Sequence, residues 1–79
     1  MTPETEAKLK EIFLIVLDQP DGTDVTTLRK INCEKWDSLA TVSIVAALES
    51  ELGLRLNAEH QERVTSYAAV QVLVDEMVG

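Results

Sequence analysis

Cysteine, aromatic side chains and basic charge are all scarce in this 79-residue chain, which has one Cys, one Phe, one Tyr and one Trp. A lone Cys33 excludes an internal disulfide. So few aromatics imply an aliphatic core, which favours a small helical bundle over a sandwich. Seven Lys and Arg stand against fourteen Asp and Glu, a formal net charge of −7. That balance repels phosphate backbones and anionic lipid, so neither nucleic acid nor a membrane surface is an expected partner. A basic patch on another protein would be attracted, although the same charge also simply keeps a small protein soluble. No apolar run reaches the length of a membrane span. The opening Met1-Thr2-Pro3-Glu4 lacks the basic and apolar regions of a signal peptide, so the chain reads as cytoplasmic.

The length suits one domain over residues 1–79, with a thin core and a modest stability margin. A hydrophobic fraction of 46% argues against disorder. Thr2 and Pro3 open a first helix, with Glu4 and Glu6 favouring its dipole. Leu9, Ile12, Phe13, Val16 and Leu17 repeat at helical spacing as its buried face. Asp18-Gln19-Pro20-Asp21-Gly22 ends it. The loop to Asp37 is long, and Val25, Leu28 and Ile31 are spaced like one apolar turn that pins it to the core. A second helix starts at Asp37 or Ser38, without the Glu or Gln of a reciprocal capping box, and stops at Gly53. Asn57 caps a short helix through Arg63, and Thr65 or Ser66 caps a last one. Val70, Leu73, Val74, Met77 and Val78 could also suit a strand, but their 3–4 spacing argues for helix. The fold class is therefore all-α: a four-helix bundle of three long helices with a short one before the last.

The most informative stretch is Trp36-Asp37-Ser38-Leu39, which puts a hydroxyl where a polar loop becomes an apolar helix. With Asp37 as the cap, Ser38 is the first helical residue and its hydroxyl is free. A helix N-terminus suits a phosphate, because its amides and dipole favour negative charge. No acid or base is evident beside Ser38, so it reads as a site of modification rather than a catalyst; a plain cap is the bland alternative.

Asp37-Ser38-Leu39 resembles the attachment motif of acyl carrier proteins. The resemblance covers nearly the whole chain: an amphipathic first helix, an acidic loop, the motif helix, a Gly53-Leu54 stop, a short helix and an apolar last helix. It implies that Ser38 bears 4′-phosphopantetheine, placed there from coenzyme A by a phosphopantetheinyl transferase. It implies acyl groups carried as thioesters, for fatty acid or polyketide synthesis, by a protein that is itself no enzyme. The implied partners are that transferase, an acyl-activating ligase or acyltransferase, and downstream synthases or transferases. Asp37 is both a cap and a candidate recognition residue. Leu39 and Val42 lie on a helix apolar nearly all round, where core burial competes with the partner contact that the resemblance implies. Trp36 either anchors the loop or meets partners.

One departure from the family stands out. Its fatty-acid carriers usually line the motif helix with acids, whereas here only Glu49 and Glu51 appear, both near the end. That favours a carrier dedicated to a specialised pathway, with Glu49 and Glu51 contributing what charge there is. Lys35-Trp36 replaces the glycine pair common in peptidyl carriers, which leans towards acyl cargo. An aminoacyl or peptidyl carrier, and an unmodified acidic helical adaptor, are the rivals; a monomer is the default. Ala46 and Ala47, read as facing the interior, either allow close helix packing or let the bundle open for an acyl chain. Asp18, Asp21 and Asp24 hint at a calcium loop, but its third and twelfth positions hold Pro20 and Arg29 instead of acids, and His60 reads as part of a solvated helix face.

Overall fold

The structure, a computed structural model, describes residues 2–78. Four α-helices follow the expected order: α1 (Pro3–Val16), α2 (Ser38–Leu52), the short α3 (Ala58–Glu62) and α4 (Tyr67–Val78). No strand occurs among the described residues, and no described helix is long and apolar enough to cross a membrane. Each helix begins at a side chain that satisfies an orphan amide. Thr2 Oγ1 accepts from the Thr5 amide at 3.2 Å, and Ser66 Oγ accepts from that of Ala69 at 3.0 Å. Asn57 Oδ1 accepts from the His60 amide at 2.9 Å, and the Asn57 amide donates back to His60 Nδ1 at 3.2 Å. His60 thus closes a reciprocal cap, a role that its place among charged residues does not suggest.

α1 ends in a left-handed turn made by Asp18 (φ 50°) rather than by glycine. The Asp18 amide donates to Ile15 O at 3.2 Å and the Gln19 amide to Leu14 O at 3.0 Å, which closes the helix's last carbonyls. Gly53 (φ 67°) terminates α2 as expected. Between α1 and α2 the chain forms two 3-10 turns, Val25–Thr27 and Lys30–Asn32. Backbone bonds fasten this loop to the start of α4: the Lys30 amide to Thr65 O at 2.8 Å, and the Tyr67 amide to Leu28 O at 3.0 Å. Val25 is buried and Leu28 half-buried, but Ile31 is 88% exposed. The expectation that Ile31 pins the loop is therefore corrected. Leu28 and Arg29 are extended (ψ 137° and 153°), which breaks the helical phase and swings Ile31 outward.

The buried faces of α1 (Leu9, Ile12, Phe13), α2 (Ala40, Ile44, Val45, Leu48) and α4 (Tyr67, Val70, Leu73, Val74) supply most of the core. Leu17, Val25, Trp36, Leu54, Leu56 and Val64 complete it. Aliphatic side chains dominate, but its centre is aromatic. Phe13 meets Trp36 edge-on, with ring centroids 5.3 Å apart, and Tyr67 likewise at 5.1 Å. These three residues are all the aromatics that the chain has. Such edge contacts add about 0.5–1.5 kcal/mol each beyond burial.

The Tyr67 hydroxyl is buried without a hydrogen-bond partner among the described residues. Burial, with smaller contributions from the charges of Glu6 and Asp24, raises its pKa above the ordinary value of 10.0. A phenol harder to ionise in the folded state stabilises the fold below its unfolded pKa, and that stabilisation is lost as pH rises through the folded value. Because Tyr67 is the only tyrosine, its absorbance reads this directly: phenolate should appear above pH 10.0, and thermal stability should fall as it appears. Tyr67→Phe should raise stability by about 1 kcal/mol in thermal melts, since it removes a buried hydroxyl without a hydrogen-bond partner among the described residues. Phe13→Ala should cost about 3–5 kcal/mol in denaturant melts, against a total of about 4–12 kcal/mol for a chain of this size.

Candidate functional site

The junction before α2 is built outward from the aromatic centre. Trp36 is 2% exposed, with its indole against Phe13. Of the two roles open to it from sequence, it takes that of the anchor. Its Nε1–H donates to Thr41 Oγ1 at 3.1 Å, and the Thr41 hydroxyl donates in turn to Asp37 O at 3.2 Å. Asp37 is the cap, its Oδ1 accepting from the Ala40 amide at 2.8 Å. The loop's ends are also drawn together by Lys35 and Asp18, 3.5 Å apart, although an ion pair this exposed contributes little.

Ser38 is therefore the first residue of α2, one position past a cap held from two sides. Its side chain is exposed, and its hydroxyl makes no hydrogen bond among the described residues. The first amides of the helix have no acceptor within it and give the surroundings of Ser38 a positive partial charge. The carboxylate of the preceding residue, Asp37, is occupied with the Ala40 amide. The site thus offers an accessible nucleophilic oxygen in surroundings that tolerate an anion.

Leu39 is 74% exposed and Val42 60% exposed, so neither belongs to the core. Ala46 is exposed as well, which corrects the reading that both alanines face the interior; the exposed face of α2 continues through it from Leu39 and Val42. Ala47 is half-buried and lines an open groove of about 220 Å³ between α1 and α2 with Lys8, Glu11, Ile12, Ile15, Val16 and Glu51. Glu49 and Glu51 are exposed about 16 and 20 Å further along the helix axis than Ser38. Glu49 Oε2 accepts from the Leu56 amide at 3.3 Å, tying α2 to the chain that follows it. The structure thus brings Asp37, Ser38, Leu39 and Val42 together at one end of α2 and places the two glutamates at the other. Thr41 is the residue that sequence reasoning missed. The signal was its place five residues after the only Trp, but which way an indole N–H points is settled by packing.

Thr41→Val should lower stability by about 1–2 kcal/mol by leaving the buried indole N–H unpaired. That corresponds to a melting temperature lower by roughly 5–15 °C in calorimetry. Asp37→Ala should cost about 1 kcal/mol through the lost cap.

No family model matches the chain, and no solved structure matches it. Curated relatives do. Acyl carrier protein 4, chloroplastic, of Cuphea lanceolata is 33% identical over 76 residues, which are 96% of this chain and 55% of that protein. Acyl carrier protein, chloroplastic, of Brassica napus is 33% identical over 76 residues, 96% of this chain and 57% of its own. Acyl carrier protein 5, chloroplastic, of Arabidopsis thaliana is 33% identical over 75 residues, 95% and 54% respectively. The chain spans about half the length of the curated relatives it matches. These relatives share a name and align with almost the entire chain, including its motif helix, and the helix order is the one that the attachment motif implies; the chain belongs to the acyl carrier protein family.

Proposed function

We propose that this chain is a single carrier domain that holds acyl groups as thioesters on a 4′-phosphopantetheine arm joined to Ser38, and that it catalyses nothing itself. The observation that carries the reading is the Ser38 hydroxyl: exposed, without a hydrogen bond, and first in a helix whose cap is fixed by Trp36, Thr41 and Asp37. The residues present fit such a group. A phosphodiester on Ser38 Oγ would meet the free amides at the start of α2 and the positive end of its dipole. When bound, the arm supplies the thiol that would hold the acyl group. Asp37 keeps its carboxylate on the Ala40 amide, away from the added negative charge.

The partners of this reading are a phosphopantetheinyl transferase, an acyl-activating ligase or acyltransferase, and a synthase or transferase that takes the cargo. Asp37, Leu39 and Val42 are the side chains that an enzyme working at Ser38 meets first, and Glu49 and Glu51 are the acids at the far end of the same helix. Residues 38–48 carry no charge, which supports a dedicated carrier of a specialised lipid, polyketide or other secondary pathway. A monomer working in the cytoplasm is the simplest form of this reading.

Intact-protein mass spectrometry tests it. With coenzyme A and a broad-specificity phosphopantetheinyl transferase, the folded chain should gain one phosphopantetheine mass. Ser38→Ala should gain none while melting as the wild type does, because the hydroxyl supports no contact in the fold. No gain with several transferases would leave the unmodified helical adaptor in its place. Loading the modified chain with fatty or hydroxy acids, and with amino acids, then separates acyl from aminoacyl carriage.

A further inference from the structure

We infer that the turn carrying Arg29, Lys30 and Ile31 is a docking surface for an acidic protein segment that bears an apolar side chain among its carboxylates. The inference stands apart from the carrier reading, because none of these residues takes part in the contacts that fix Ser38. Ile31 is the most exposed large apolar side chain among the described residues, at 88%. The fold holds it in that position. The Arg29 amide donates to Asn32 Oδ1 at 2.8 Å and Asn32 Nδ2 to Thr27 O at 3.3 Å, which braces the turn on both sides of Ile31. The backbone bonds from Lys30 to Thr65 and from Tyr67 to Leu28 fasten the turn to the start of α4. Arg29, Lys30, Ile31, Thr65 and Ser66 there line an open hollow of about 400 Å³. A surface already held in one conformation loses little entropy when a partner covers it.

Charge says what covers it. The chain carries a net −7, yet residues 25–33 include Arg29 and Lys30 and no acid. Residues 63–74, which supply Thr65 and Ser66 to the hollow, include Arg63 and no acid. Arg63 is taken by Glu76 at 2.8 Å. Arg29 and Lys30 are exposed and form no ion pair among the described residues. The acids that flank the turn in sequence are Glu34 and Asp24, and Asp24 Oδ1 accepts from the Thr26 amide at 3.1 Å. Two free cations beside an exposed isoleucine complement carboxylates set around an apolar group. A protein segment fits better than an anionic membrane. One isoleucine is too little apolar surface for insertion, and the net charge of −7 repels anionic lipid.

The test is an amide-shift titration of the isotopically labelled full chain with a synthetic peptide in which two leucines stand among Glu and Asp. A counterpart peptide carries Lys in place of the acids. The acidic peptide should move the amides of Arg29, Lys30, Ile31 and Ser66, and its Kd should rise between roughly 50 and 300 mM NaCl. Arg29→Glu combined with Lys30→Glu should raise the Kd more than about tenfold, and Ile31→Ser about tenfold. Lys8→Glu combined with Arg55→Glu alters the net charge equally and should raise it less than about threefold, since those exposed cations lie elsewhere. Unchanged amide positions away from each substitution verify that the variants are folded. Shifts confined to other parts of the chain, equal binding of the Lys peptide, or equal losses from the two charge-reversed pairs would each overturn the inference. Binding of phosphatidylglycerol vesicles through these residues, without binding of the peptide, would overturn it in favour of a lipid surface. Ser38→Ala should bind the acidic peptide as the wild type does, so failure here leaves the carrier reading standing, and failure of that reading leaves this one.

Discussion

Edge-on packing of Phe13 between Trp36 and Tyr67 is the contact on which the rest depends. It joins three parts of the chain that no regular backbone ladder connects: α1, the end of the long loop, and the first residue of α4. In so small a domain, each large buried ring is a substantial share of the apolar surface removed from water. Placing all three rings at one point concentrates that contribution where the loop meets α1 and α4. The chain has no other aromatic with which to replace any of them.

That contact has a direct consequence at the candidate site. Once the indole is held against Phe13, its N–H has a fixed direction, and the Thr41 hydroxyl answers it. Thr41 in turn holds the Asp37 carbonyl while the Asp37 carboxylate caps the helix. Ser38 then emerges at a defined place without sharing any of these bonds. Neighbours do the structural work and the Ser38 oxygen stays free, an arrangement that suits the proposed modification. Changes at Ser38 are thereby separated from stability, while changes at Trp36 or Thr41 are not.

The surface of α2 follows from a second division. Its buried side takes four apolar residues, and its exposed side near Ser38 takes three more, so the helix has little amphipathic contrast. Of the net charge of −7, α1 contributes −1 and α2, α3 and α4 contribute −2 each, the two charges of α2 lying at its far end, while the connecting segments balance. Charge and exposed apolar surface are therefore separated along α2, with Leu39, Val42 and Ala46 towards Ser38 and both glutamates towards Gly53.

Local chemistry decided what the sequence alone could reveal. Caps at Thr2, Asp37, Asn57 and Ser66, the stop at Gly53, and the helical spacing in α1 and α4 involve residues within one turn of each other, so short stretches of chain determine them. The cap at Asp37 followed by a free hydroxyl at Ser38 is legible for the same reason. Packing decided the remainder. Whether Leu39, Val42 and Ala46 face solvent depends on which side of a nearly uniform helix meets α1, and spacing carries no such information when both sides are apolar. Ile31 points outward because extended residues before it break the helical phase, a consequence of pairing with a strand-like stretch more than thirty residues later. The Trp36 N–H and the Glu49 carboxylate find partners only once the chain is folded, because hydrogen-bond direction is a property of three-dimensional placement and not of residue order.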